Sequence, residues 1–184
     1  KPLSGLQNCS LKWIDNSLFS GIHSTVYMEN GFWEYYNDNG QWTWSKRAPR
    51  WPNNYDVTSF VFYNNYFYLG TINSGIRRID RNFYQDNGWN DGLPTNNGEY
   101  PQINSLILFP VGNGAGIYAG TENGLYYRSL SSGSWVSCLV YDNGIGTQSE
   151  IERKIKGFKI TQENGIETLW VVCYGAKRYE SAEM

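Results

Sequence analysis

Apolar and polar residues alternate with period two along much of this chain, and the alternation restarts at a regular interval. Four stretches superimpose without gaps: Asn8-Cys-Ser-Leu-Lys-Trp-Ile14, Val57-Thr-Ser-Phe-Val-Phe-Tyr63, Ile103-Asn-Ser-Leu-Ile-Leu-Phe109 and Ile155-Lys-Gly-Phe-Lys-Ile-Thr161. The third position is always tiny (Ser10, Ser59, Ser105, Gly157). The fourth and sixth are large and apolar: Leu11 and Trp13, Phe60 and Phe62, Leu106 and Leu108, Phe158 and Ile160. On a strand, alternation sends each large pair to one face and the tiny residue to the other. The interval is about fifty residues, the length of a small supersecondary unit repeated in series.

Each copy predicts further strands. A second reads Leu18–Ile22, Phe67–Thr71, Ile117–Thr121 and, more loosely, Leu169–Cys173. The turns into it, Asp15-Asn16, Asn64-Asn65, Gly112-Asn113-Gly114 and Asn164-Gly165, are hairpin chemistry. A third strand is expected over Ser24–Glu29, Gly75–Asp80, Gly124–Ser129 and Gly175–Glu180, and an outermost fourth over Gly31–Tyr36, Arg81–Tyr84 and Ser134–Cys138. The unit is a four-stranded antiparallel meander, and such units stack face to face around an axis in a β-propeller. The expected fold is therefore all-β: one propeller domain over residues 1–184, with repeats near 8–56, 57–102, 103–154 and an incomplete 155–184. Either residues 1–7 supply the missing strand of a four-bladed ring, or the chain is an arc of a larger ring. The spacing favours the arc, which further blades or another chain would complete.

Composition supports strands over helices. Aromatic residues make up 17% of the chain and glycines number 20, and these are residues of strands and turns. A formal net charge of −2 removes any global electrostatic case for nucleic acid. No apolar run reaches the roughly 18 residues of a membrane span. Cys9, Cys138 and Cys173 have neither the spacing nor the histidines of a zinc site, since His23 is the single histidine. They read as buried free thiols, with one bridge plus a free thiol as the alternative. Asn8-Cys9-Ser10 matches the glycosylation sequon, a match common by chance.

Trp89-Asn-Asp-Gly-Leu-Pro94, then Ile103-Asn-Ser-Leu106, then Ile117-Tyr-Ala-Gly-Thr-Glu-Asn-Gly-Leu-Tyr126 resembles a blade of the two-component-regulator type propeller. The match is good over the third repeat, fair over the second and poor over the others. The same pattern is similar to the Asp-box repeats of sialidases, sortilin-like receptors and a photosystem assembly factor. Asp38-Asn-Gly-Gln-Trp42, Asp86-Asn-Gly-Trp89 and Ser132-Gly-Ser-Trp135 resemble worn Asp boxes with shortened spacing. The resemblance implies architecture, since Asp boxes stabilise turns on the rim. Asp38, Asp86 and Asp142 accordingly read as structural, because calcium needs more oxygen ligands than these short runs offer.

Catalytic signatures are absent. Arg47-Ala-Pro49 does not stand in for the Arg-Ile-Pro of sialidases, and there is neither a Gly-x-Ser-x-Gly elbow nor an HExxH helix. His23 reads as a polar turn residue. No catalytic residue, metal or cofactor is assigned. The chain departs from its own repeat at Trp44–Asp56, which gathers Arg47, Arg50, Trp51 and Tyr55 with two prolines, Pro49 and Pro52, that limit its freedom. The matching connection after the second repeat carries Tyr100 and no base. In a propeller such connections gather beside the channel mouth. Exposed aromatic rings offer flat apolar faces to sugars or peptides, and arginine pairs with carboxylates. At least one of Arg47 and Arg50 is then expected free of internal salt bridges. The reading is a non-enzymatic recognition module for a glycan or protein partner, secreted or periplasmic, with a glycan-active hydrolase or lyase as the alternative.

Overall fold

The computed structural model describes residues 6–24, 31–47, 56–86, 89–111, 114–131, 133–138, 154–173 and 177–179. The described residues form fifteen strands and no helix. The first sheet holds β1 (Leu6–Ile14), β2 (Ser17–Ser24), β3 (Gly31–Asp38) and β4 (Gln41–Lys46). The second holds β5 (Val57–Tyr63), β6 (Tyr66–Thr71), β7 (Ile76–Asp80) and β8 (Gln85–Asp86). The third holds β9 (Ile103–Val111), β10 (Gly114–Thr121), β11 (Gly124–Ser129) and β12 (Val136–Ser137). The last holds β13 (Ile155–Glu163), β14 (Ile166–Cys173) and β15 (Lys177–Tyr179). Within each sheet, strands neighbour one another in chain order and all pairs are antiparallel.

Turn chemistry shapes these meanders. At Asn39-Gly40, Asn64-Asn65 and Asn164-Gly165 both residues take positive φ, from 48° to 91°, the twist that two-residue hairpins require. After β6 and β10 a buried threonine folds the next corner. Thr71 Oγ1 donates to Gly75 O at 2.8 Å, and Thr121 Oγ1 donates to Gly124 O at 2.9 Å. Each hydroxyl also accepts a backbone N–H of its own turn, from Ser74 and Asn123 respectively.

Expected strands shift in three of the repeats. In the first repeat the third strand is Gly31–Asp38 and the fourth Gln41–Lys46, so Asn39-Gly40 is a hairpin between them and not a rim corner. Trp42 there is exposed and stacks on Tyr35. In the second repeat Arg81–Tyr84 is a turn, because Asp80 Oδ1 accepts the N–H groups of Asn82 and Tyr84, both at 2.9 Å. In the third, only Val136–Ser137 of the expected outer strand pairs. Leu6 and Gln7 run on into β1, whereas residues 1–5 lie outside the described residues. His23 falls within β2, opposite Asn8, and not after it.

Consecutive sheets pack face to face. In the second and third repeats the large pair faces the preceding sheet: Phe60 and Phe62 meet Phe19 and Phe32, and Leu106 and Leu108 meet Val61 and Tyr68. The tiny residue pairs across the sheet with a glycine, Ser10 with Gly21, Ser59 with Gly70 and Ser105 with Gly120. This small pair admits the first residue of the next repeat. A Cβ at Gly21 would lie 2.5 Å from Val57 Cγ1, at Gly70 2.6 Å from Ile103 Cγ2, and at Gly120 2.5 Å from Ile155 Cγ2. Real side chains do not approach so closely, and close packing leaves no slack to absorb one.

Between the second and third sheets, the Trp89–Pro94 segment seals the joint. Asn90 Oδ1 accepts Ile76 N–H at 2.7 Å and its amide donates to Ser74 O. Trp135 Nε1 donates to Trp89 O at 2.6 Å, and the guanidinium groups of Arg78 and Arg128 lie over the Trp89 ring. The segment that resembles a known blade motif is thus occupied in packing.

Candidate functional site

Antiparallel order places the start of every first strand and the end of every second strand at one end of the sheets. The segment leading into β5 arrives there too. Arg47 begins this segment, but its side chain runs back along the sheet. Its Nε donates to Glu34 Oε2 at 2.7 Å, and its guanidinium sits 4.7 Å from the Tyr36 ring centre and 5.4 Å from that of Phe83. Arg47 therefore ties the first unit to the second, and the expectation of a free arginine passes to Arg50. Arg50, Trp51 and Tyr55 lie outside the described residues. Tyr100 is half-buried and packs against the core between the second and third sheets.

The described side chains that do gather at this end come from the second position of the repeat and from the corner after β10. Thr58 donates its hydroxyl to Gly70 O and Ile103 O. Asn104, at the equivalent position, donates to Ile155 O at 2.9 Å. Each thus reaches the first carbonyl of the next repeat, and the joints are closed by one device used twice. Asn104 Nδ2 also donates to Glu122 Oε1 at 2.9 Å, and Gln102 supports Asn104 Oδ1 at 3.0 Å.

Glu122 is the hub. Lys154 is paired with its Oε2, and Lys156 approaches its Oε1 at 3.3 Å. Burial by itself would raise the Glu122 carboxyl, but hydrogen bonds from Lys154, Asn104 and Lys156, with the charge of Lys156, hold it below the ordinary carboxylate value. Both lysines are partly exposed. This cluster can hold an anion or hydroxyl-rich ligand by hydrogen bonding. Glu122 is kept ionised and so is a charge partner, not a proton donor.

This cluster is not among the sites expected above, although the sequence carries a signal for it: the second repeat position is polar in Thr58, Asn104 and Lys156, and Glu122 stands where the preceding repeat has Ile72. Among the described residues no group of three or more His, Cys, Asp or Glu side chains is arranged to hold a metal. No described helix is long and apolar enough to cross a membrane. Cys138 is a free thiol whose burial pushes it up to about 11, and the side chains of Cys9 and Cys173 lie outside the described residues.

No family model matches the chain, and no curated protein matches it. Among solved structures it is similar to the computationally designed Ika4 protein, at 13% identity and a TM-score of 0.55, over 97% of this chain and 94% of that one. It is also similar to the extracellular domain of a hybrid two-component system from B. thetaiotaomicron, at 15% identity and a TM-score of 0.55. That match covers 97% of this chain and 21% of the other, so the chain spans about a fifth of that domain. At such identities the likeness is one of fold.

Proposed function

We propose that the four sheets are blades of a β-propeller acting as a non-enzymatic recognition module outside the cytoplasm. Its ligand is an acidic glycan or an acidic protein segment, bound on the face where the connections between blades gather. The observation that carries this reading is the cluster of Lys154, Lys156 and Asn104 around Glu122, at the end of the sheets where β4 finishes and β5 begins. Ammonium and amide groups supply orientation, and the aromatic rings supply apolar contact for sugar or peptide faces. The fold likeness to an extracellular domain of a two-component system supports both the sensing role and the location. Arg47 is engaged with Glu34 and Tyr100 packs on the core, so neither is taken as a contact residue.

Titration of uronic-acid and sialylated oligosaccharides and acidic peptides into the protein, followed calorimetrically, tests the reading. Truncating an aromatic at a binding centre commonly costs about 2 kcal/mol, so Trp51→Ala should weaken binding by about thirtyfold with an unchanged circular dichroism spectrum. A Trp51→Ala protein that melts earlier but binds as tightly as the wild type would make Trp51 a packing residue and sink the proposed site.

A further inference from the structure

The positions held by Glu122, Lys154 and Lys156 at the joint between the third and fourth sheets are, one repeat earlier, those of Ile72, Gln102 and Asn104. The backbone around them is alike at both joints. Ile72 N–H donates to Asp56 O at 3.2 Å, and Glu122 N–H to Gln102 O at 3.1 Å. Thr58 and Asn104 each tie the first carbonyl of the following repeat. The earlier joint closes with no ion at these three positions, so the fold does not call for a carboxylate at 122. Exposed ion pairs add little to stability, and the Lys154 and Lys156 side chains are 43% and 46% exposed. The seat of Glu122 is nonetheless well made for a carboxylate. Its Oε1 accepts from the Asn104 amide at 2.9 Å with Lys156 at 3.3 Å, and its Oε2 is paired with Lys154. Asn104 is anchored independently of Glu122, since the same Nδ2 donates to Ile155 O and Gln102 supports Asn104 Oδ1. Glu122 itself hangs from the two-residue turn between β10 and β11.

We propose that Glu122 is a built-in competitor for the ligand: the carboxylate of a uronic-acid sugar takes its seat against Asn104 and Lys156, and the Glu122 side chain turns out to solvent. This rests on the recognition role proposed above for the same cluster. Only molecules whose seat is open bind, so the apparent affinity is lowered by the fraction in which Glu122 occupies it. The device also selects. A ligand that carries an anion replaces what the lysines lose when Glu122 leaves, whereas a neutral ligand does not, and specificity is that difference. A sugar is favoured over a peptide by the neighbours of the seat. The described side chains Gln102, Asn104 and Asn123 are amides, which both donate to and accept from ring hydroxyls.

Calorimetric titration of the full chain with a galacturonic-acid trimer, and in parallel with a hexaglutamate peptide, at pH 7 and low salt tests this proposal. Glu122→Gln keeps the shape of the side chain, and Glu122→Ile installs the residue that the second repeat carries at this place. Each should bind the trimer about three- to tenfold more tightly than the wild type. Lys156→Gln should bind it more weakly. A urea midpoint for Glu122→Gln separates the roles: a competitor gives a less stable protein that binds more tightly, whereas a strut loses both. A wild type that binds the trimer and a Glu122→Gln protein that binds it no better overturn the competitor while leaving the recognition reading in place. Tightening toward the peptide alone overturns the choice of a sugar. No binding of either probe by any of these proteins overturns this proposal and the recognition reading together.

Discussion

Glu122 shows how one residue's surroundings set its role. A carboxylate between two lysines and an amide is most stable ionised, so its folded pKa lies below that of the unfolded chain. The sign follows directly. Such a group adds stability that is fully present above the unfolded carboxylate pKa of about 4.3 and is lost as pH falls through the lower folded value. Glu122→Gln should therefore be less stable than the wild type at neutral pH and approach it in acid. Urea midpoints at pH 7 and pH 3 check this, and an equal gap at both would remove the charge argument. Arg47 makes the complementary point. Its salt bridge to Glu34 and its place over Tyr36 and Phe83 turn a residue that looked available into a strut.

At the scale of elements, the first and second strands and their tight turns are the most legible features, because both depend on local chemistry. Strand counting in the first repeat is harder. Gly31 to Tyr36 reads as the outermost fourth strand, but pairing with β2 on one side and β4 on the other makes it the third. The hairpin at Asn39-Gly40 is the feature that fixes it. Gly40 has φ of 91° with nothing within 4 Å of where its Cβ would be, so a side chain there meets strain but no clash. Gly40→Ala should cost about 1 kcal/mol through backbone conformation alone. Chemical denaturation measures it, and an unchanged midpoint would show that the β3–β4 hairpin contributes nothing to cooperative unfolding.

Across the whole molecule, stability is a matter of joints between neighbouring sheets, and its glycines divide accordingly. Gly120 sits inside the joint between the third and fourth sheets, facing Ile155, while Gly157 faces open space in the single chain. Gly120→Ala should lower stability by about 1–3 kcal/mol through overpacking. Gly157→Ala should be neutral or stabilising by up to about 1 kcal/mol, since it restricts the unfolded chain without a clash. Equal losses at the two positions would show that the fourth sheet does not pack on the third as described. Three apolar clusters, one at each contact between consecutive sheets, make this series arrangement concrete.

The repeat, the all-β class, the inner strands and the turns at Asn64-Asn65 and Asn164-Gly165 can be read from the order of residues, because alternation and positive-φ chemistry act within a few residues. The residue order also shows a connection rich in aromatic and basic residues, though not the cluster around Glu122, whose members Asn104, Lys154 and Lys156 meet only when successive repeats stack. The fate of equivalent residues depends on packing between sheets. Leu11 and Trp13 stand at the same motif positions as Phe60 and Phe62, yet one pair is bare and Phe60 is sealed. The difference lies in no property of the residues themselves: burial requires a neighbouring sheet, and whether a neighbour exists is set by the arrangement of the whole array.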